Sequence, residues 1–190
     1  MPAVRVAAVV LAAGAGSRFV SPDGTHKLLA PWRGRPVVTW AVEAARDAGL
    51  DQTWVVSGAV ALDAVIPLDV EILPNLAWAS GQASSLQVAV TAARAAGVDA
   101  ITVGLGDQPD IPSATWRAVA EASGPVVVAT YRGRRRNPVR LADEVWDLLP
   151  TSGDEGARVL IRLHPHLVSE VACLGHPGDI DTLEDLTRWN

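Results

Sequence analysis

The stretch Val4-Arg5-Val6-Ala7-Ala8-Val9-Val10-Leu11, followed at once by Ala12-Ala13-Gly14-Ala15-Gly16-Ser17-Arg18-Phe19, decides how the chain is read. The apolar run has little polar alternation and several β-branched residues, so Val4–Leu11 is expected to be a strand buried on both faces. It ends in small residues around Gly14 and Gly16, which let a ligand approach the backbone closely. Successive N–H groups in such a turn form an anion-binding concavity. Arg18 adds a planar fork of donors and Lys27 a point charge. Together they describe a polyphosphate cradle.

Two commoner phosphate loops are excluded. A Walker A loop needs G-x-x-x-x-G-K-[ST], and that spacing is absent. The dinucleotide fingerprint G-x-G-x-x-G fits at Gly14 and Gly16 and then fails, because Phe19 stands where the third glycine belongs. That fingerprint also wants an acid at the end of the next strand, which here reads Val55-Val56-Ser57-Gly58.

Strand and helix patterns alternate from the cradle onward, so an α/β fold is expected: a Rossmann-like three-layer sandwich with a mostly parallel sheet. Helices are expected at Val37–Ala48 (Pro36 as first helical residue, Gly49 closing), Ala59–Ile66 before Pro67, from Gly81 to Ala96 before Gly97, and Ser113–Ser123 capped by Ser113. Strands are expected at Gln52–Gly58, Val70–Leu73, Ala100–Leu105 and Val126–Tyr131. Beyond Tyr131 the basic run Arg132-Gly133-Arg134-Arg135-Arg136 reads as a hairpin or crossover into Val139–Leu141. Short helices at Asp143–Leu149 and Glu155–Leu163, a strand at Leu167–Leu174 and a last helix from Thr182 read as an appended lobe. At 190 residues with no linker, one domain across 1–190 is expected.

Bulk properties narrow the classes. The apolar run is too short to span a bilayer, and no signal peptide is expected ahead of it. Cys173 is the single cysteine, consistent with a reducing cytoplasm. The net charge of −5 gives no general field for nucleic acid, so an anionic ligand must be held by local cations. The histidines make no metal set, and no Ser-His-Asp or Cys-His arrangement is suggested.

Asp107 follows the strand Ala100–Leu105 in a loop broken by Gly106 and Pro109. Carboxyl ends of strands face the ligand crevice in open α/β sheets, so Asp107 is expected beside Arg18 and Lys27. A carboxylate next to a polyphosphate calls for a cation, and Mg²⁺ takes one or two carboxylates plus phosphate oxygens. Asp179 and Asp181 offer a second carboxylate, although Asp181 also reads as a helix cap. Gly81-Gln82-Ala83-Ser84-Ser85 supplies a close-approach glycine and short hydroxyls at a helix start. Trp78 is placed to stack on a base or to join the core.

The segments L-A-A-G-x-G-S-R-F, H-K-L-L, Trp78–Leu86, Gly106-Asp107-Gln108-Pro109, Gly153–Arg158 and Asp179–Thr182 run nearly end to end. In this order they resemble the MobA-like nucleotidyltransferases, most closely the molybdenum cofactor cytidylyltransferase branch. The resemblance implies nucleotide contacts at Leu11, Ala12, Ala13, Gly14, Gly16, Arg18, Lys27, Gly81 and Ser85. It implies catalytic roles for Arg18, Lys27 and Asp107, and a Mg²⁺ site at Asp107 and Asp181, with Asp179 the lesser candidate. Arg136, Asn137 and Arg158 are the acceptor-binding candidates it leaves. Family members commonly carry a glycine and His-Pro where this chain has Arg136-Asn137-Pro138, so acceptor identity stays open. The implied reaction moves CMP from CTP to a phosphorylated acceptor, molybdenum cofactor, and releases pyrophosphate; a molybdoenzyme would receive the product. Three alternatives remain: GTP or another acceptor, an NAD(P)H- or flavin-dependent oxidoreductase on the same crevice, and a non-catalytic cofactor carrier. Neither nucleic acid nor a membrane is expected as partner.

Overall fold

The first strand, β1 (Val6–Ala12), is the axis of a seven-stranded sheet. A computed structural model of the protein describes residues 4–188. The remaining strands are β2 (Pro31–Trp32), β3 (Arg35–Pro36), β4 (Gln52–Ser57), β5 (Glu71–Pro74), β6 (Ala100–Leu105), β7 (Val126–Tyr131), β8 (Arg134–Ala142) and β9 (Val168–Ala172). The large sheet runs β5-β4-β1-β6-β8-β7-β9, while β2 and β3 form a small separate ladder. Val9 lies opposite Trp54 of β4 on one side and Val103 of β6 on the other. Every pairing in the large sheet is parallel except the two made by β8.

The helices are α1 (Val37–Arg46), α2 (Gln82–Ala96), α3 (Ser113–Glu121), α4 (Ala157–Leu163) and α5 (Leu183–Arg188). Side chains alternate across a strand, so β1 feeds two cores. Ala7 and Val9 join Leu86, Ala89, Val90 and Ala93 of α2 on one face, with Trp146. Ala8, Val10 and Ala12 join Val38, Ala41, Val42 and Ala45 of α1 and Trp116 of α3 on the other. This is the three-layer α/β arrangement expected from the sequence. Burial on both faces explains why β1 reads as a continuous apolar run.

Several local expectations are corrected. The segment 59–66 is not a helix. It makes a single turn in which the Leu62 carbonyl accepts from Val65 and Ile66. Leu62 and Ile66 are core residues spaced as one helical turn, but Pro67 disfavours helical backbone at the residue before it. One turn cannot offset the cost of nucleating a helix. Ser113 does not cap α3; Pro112 occupies that position and no side chain caps it. Pro36 likewise precedes α1 as its cap residue, α1 ends at Arg46 ahead of Gly49, and β1 and β9 are shorter than expected.

The hairpin expected at the basic run is present, and the largest correction concerns where it leads. Arg132 (φ 50°) and Gly133 (φ 74°) are the two central residues of a tight hairpin, both left-handed as such turns require. Arg134, Arg135 and Arg136 are therefore strand residues, paired with Tyr131, Thr130 and Ala129. β8 then inserts between β7 and β6, so the C-terminal third completes the sheet instead of hanging from it as a lobe. The register shifts where Val128 pairs with Val139 but Ala129 pairs with Arg136, leaving Asn137 and Pro138 as a bulge. A proline has no N–H for the ladder, and a bulge accommodates it.

Gly104 gives a test of this packing. A Cβ there would lie 2.5 Å from the ring of Trp116, which is 1% exposed and cannot move aside. Gly104→Ala should cost about 1–3 kcal/mol through overpacking. Urea unfolding should show a lower midpoint at unchanged slope.

Candidate functional site

Because β1 and β6 are parallel neighbours, their carboxyl ends deliver the glycine-rich turn and Asp107 to the same edge of the sheet. The N–H groups of Gly14, Ala15, Gly16, Ser17 and Arg18 donate to no group among the described residues, while Phe19 N–H closes the turn on the Gly16 carbonyl. Gly16 takes φ 61°, and a Cβ there would press on His26 and Lys27 at 3.1 Å. His26 pins the turn. Its Nδ1 accepts from Leu28 N–H at 3.2 Å, so Nε2 carries the proton donated to the Gly14 carbonyl at 3.1 Å. Burial holds the imidazole below its ordinary value, against the pull of the Gly14 carbonyl. It acts as a neutral clip.

Lys27 is the centre of the charge arrangement. Its Nζ lies 2.6 Å from Asp107 Oδ2 and 2.9 Å from Asp181 Oδ1. These three side chains are 11%, 16% and 18% exposed. Arg18 reaches the other Asp181 oxygen at 2.9 Å but is 75% exposed. Its fork stays largely in solvent. Asp107 Oδ1 is buried with no hydrogen-bond partner, an acceptor left over beside the cleft.

Asp181 is free to face Lys27 because the capping role falls one residue later. Thr182 Oγ1 accepts from Asp185 N–H at 3.2 Å while the Asp185 carboxylate takes Thr182 N–H at 3.0 Å, a reciprocal cap on α5. Ile180, fully buried, donates its N–H to the Asp107 carbonyl and ties the two acidic segments together. Asp179 turns away. Its Oδ1 accepts from Gln108 Nε2 at 2.7 Å, and burial, with Asp107 nearby, pushes its carboxyl up.

The opposite wall comes from β5 and α2. Asn75, at the end of β5, donates through Nδ2 to the Ser84 and Ser85 hydroxyls at 2.8 and 3.0 Å. Ser84 passes its proton to the Gly81 carbonyl, whereas Ser85 donates to no group among the described residues. Gly81 has φ 106°, and a Cβ would sit 2.6 Å from the Gly153 carbonyl. Its glycine is thus required by the neighbouring loop as well as by any ligand.

These walls enclose a cleft of about 390 Å³. It brings together every residue expected for the nucleotide and the metal: Leu11, Ala12, Ala13, Gly14, Gly16, Arg18, Lys27, Gly81, Ser85, Asp107 and Asp181, with Trp78 on the rim. Asn137 and Arg158 instead line a smaller cavity of about 40 Å³ that shares Leu11, Gln82 and Leu105 with the cleft. Arg136 lines neither; its guanidinium donates to the Arg135 carbonyl on the surface. Asn75, His26, Gln82 and Gln108 were missed from the sequence. For Asn75 a signal exists, a polar residue at the carboxyl end of a strand.

No cluster of three or more His, Cys, Asp or Glu suited to a metal occurs among the described residues. The donor set is two converging carboxylates, one with an unsatisfied oxygen. Hard oxygen donors in that number suit a divalent cation that completes its shell with phosphate and water.

The MobA-like NTP transferase domain matches residues 8–170. The chain belongs to that family. Nicotine blue oxidoreductase of Paenarthrobacter nicotinovorans is 32% identical over 96% of this chain and 95% of its own. Rv0371c from Mycobacterium tuberculosis H37Rv is 31% identical with a TM-score of 0.83, covering 100% of this chain and 98% of that one. The same protein has a structure in complex with manganese. A nucleotidyl transferase from Methanothermobacter thermautotroptrophicus is 29% identical with a TM-score of 0.82, over 97% of this chain and 95% of that one. This MobA-like chain therefore carries a nucleotidyltransferase-type fold, and no helix among its described residues is long and apolar enough to cross a membrane.

The Lys27 cluster makes a prediction about stability. Burial pulls its ammonium down, but Asp107 and Asp181 outweigh burial and hold it above its ordinary 10.5. A raised value contributes stability that is fully present below pH 10.5 and is lost as pH rises through the raised value. Lys27→Met leaves two mostly buried carboxylates facing each other, at a cost of about 3 kcal/mol at neutral pH. Urea titrations should show the gap between wild type and variant narrowing above pH 10.5. A gap independent of pH would remove the ammonium from this role.

Proposed function

We propose that this protein is a nucleotidyltransferase that moves a nucleoside monophosphate from an NTP to a phosphorylated acceptor and releases pyrophosphate. The observation that carries the reading is the convergence of Asp107 and Asp181 on Lys27 in the same cleft as a turn of unpartnered N–H groups. CTP as donor and molybdenum cofactor as acceptor follow the family branch that the motifs resemble, with a molybdoenzyme as eventual recipient. One domain spans the chain in this reading, and the compartment is the cytoplasm.

In-line attack by an acceptor phosphate oxygen on the α-phosphorus needs no protein nucleophile, so positioning and charge neutralisation do most of the work. The glycine turn and Lys27 bind the phosphates. Arg18 meets the outer phosphates and then the leaving pyrophosphate. Ser85 and the Gly81 backbone read the base, held by Asn75. Asp107 and Asp181 would hold Mg²⁺ or Mn²⁺, and the manganese complex of Rv0371c supports a divalent ion in this fold. When bound, such an ion neutralises phosphate charge beside the carboxylates.

A second reading is an oxidoreductase using a nicotinamide nucleotide. It is favoured by the name of the 32% identical relative. Phe19 in place of the third fingerprint glycine, and a β4 ending without an acid, weigh against it.

Pyrophosphate release from each NTP, with candidate acceptors and Mg²⁺, tests the first reading. Calorimetry should show CTP or GTP binding much more tightly than NADH or NADPH, and the reverse order would put the oxidoreductase first. Asp107→Ala should abolish turnover, with Asp107→Asn as the isosteric control; near-normal Mg²⁺-supported activity would remove Asp107 from the mechanism. Arg18→Ala should lower turnover with any acceptor by about 1 kcal/mol, since the lost charge-assisted contact is made by a largely exposed, screened guanidinium.

A further inference from the structure

The small cavity beside the cleft ends in an amide whose orientation is set from a distance. Gln108 is 3% exposed and lies immediately after Asp107, yet it faces away from Lys27. Its Nε2 sits 3.1 Å from the Pro177 carbonyl and 2.7 Å from Asp179 Oδ1. The Pro177 carbonyl can only accept, so the Gln108 nitrogen must be on that side and Oε1 on the other. Oε1 meets Asn137 at 3.2 Å. Facing an acceptor, Asn137 must present Nδ2 there. Its Oδ1 is left with no donor among the described residues.

Asn137 cannot swing freely, because it belongs to the bulge where β8 breaks register against β7. Its backbone carbonyl accepts from the Tyr131 hydroxyl at 3.0 Å, which holds the bulge from its other side. The cavity that Asn137 lines has apolar walls of Leu86, Val103, Val139 and Ile161, with Arg158 among its polar residues. It adjoins the cleft, with Leu11, Gln82 and Leu105 lining both. A space of about 40 Å³ admits the edge of a group, with its bulk left in the cleft.

We infer that Gln108 is a positioning residue that fixes Asn137 so that its amide oxygen reads an N–H or O–H donor on the apolar edge of the second substrate. This rests on the nucleotidyltransferase reading and deepens it. The acceptor must combine an anionic phosphate, which reaches the donor nucleotide in the cleft, with a donor-bearing edge that enters the cavity. An acceptor that presents a carbonyl or ring nitrogen to Oδ1 meets a second lone pair there and binds less well than one that presents a donor, because the Asn137 oxygen is then left unpaired. The pair thus selects acceptors without touching the nucleotide.

The test is a double-mutant cycle read as Michaelis constants for molybdenum cofactor as acceptor and for CTP as donor, measured separately. Gln108→Met keeps length and volume and frees Asn137 to flip; Asn137→Leu removes the acceptor oxygen. The acceptor constant should rise about tenfold in Gln108→Met, the scale of one misdirected hydrogen bond, and further in Asn137→Leu. The NTP constant should stay within about twofold of wild type in both, since neither side chain lines the nucleotide cleft. The double variant should be no worse than Asn137→Leu alone, because Gln108 acts only through Asn137. Additive losses, or a changed NTP constant, would mean that Gln108 merely supports Asp107 and would overturn the inference. If Gln108→Met fails to fold, Asn137→Leu decides by itself: an unchanged acceptor constant overturns the inference. Wild-type protein that transfers from no NTP would overturn the nucleotidyltransferase reading and this inference together, a result distinct from active enzyme with unchanged constants.

Discussion

The ammonium of Lys27, held between Asp107 and Asp181, is the interaction on which the site depends. Two carboxylates mostly removed from water repel one another, and a cation between them offsets that repulsion. The fold brings them there from distant parts of the chain: Asp107 from the carboxyl end of β6, and Asp181 from the segment before α5. Their sharing of one partner joins the last segment of the described chain to the centre of the sheet. The Ile180 N–H on the Asp107 carbonyl and the burial of Ile180 beside Phe19 and Trp32 hold the same junction by other means. The charge cluster therefore sits on a packed apolar base, and its geometry is set before any ligand arrives.

Much of this was legible in the sequence for a simple reason. Strand ends in a parallel sheet converge on one edge, so a glycine turn after one strand and an acid after a neighbouring strand must meet. That Asp107 meets the cradle follows from that rule, Lys27 from its place after the glycine turn together with the family motif, and Asp181 from the family motif. What could not be read are roles created by pairing across the chain. Gln108 meets Asp179 71 residues later and Asn137 29 residues later, and neither partner marks it in sequence. His26 was unreadable in the same way, because its value lies in which nitrogen carries the proton, and the turn around it decides that.

The errors share a cause too. Leu62 and Ile66 have helical spacing and are buried, but local period cannot tell one anchored turn from a helix. The basic run was read as a hairpin or crossover, but the C-terminal segments after it were read as an appended lobe, because local pattern does not show which strand a hairpin arm pairs with. A two-residue hairpin consumes only Arg132 and Gly133, which sends the next three arginines along an antiparallel strand with exposed side chains. That strand carries Asn137 into the sheet beside β6 and so next to Gln108. Splitting the basic run is what separates a surface arginine, Arg136, from a cavity residue, Asn137, one position later.

On the proposed reading, the charge balance of the cleft gives a reason for a nucleotide and a divalent ion to bind together. Lys27 and Arg18 against Asp107 and Asp181 leave the cluster near neutrality without ligand. A triphosphate brings several negative charges to a place where both cations are already engaged by carboxylates. It can draw Lys27 toward itself only if something else neutralises Asp107 and Asp181, and two freed carboxylates beside phosphate oxygens are the donor set a hard divalent cation prefers. The unpartnered N–H groups of Gly14 to Arg18 add attraction without adding a competing ion pair. Lys27 thus has two alternative sets of anionic partners, and the carboxylates have two alternative cations. On that reading an exchange between them would keep every buried charge paired, which a site with no lysine could not do.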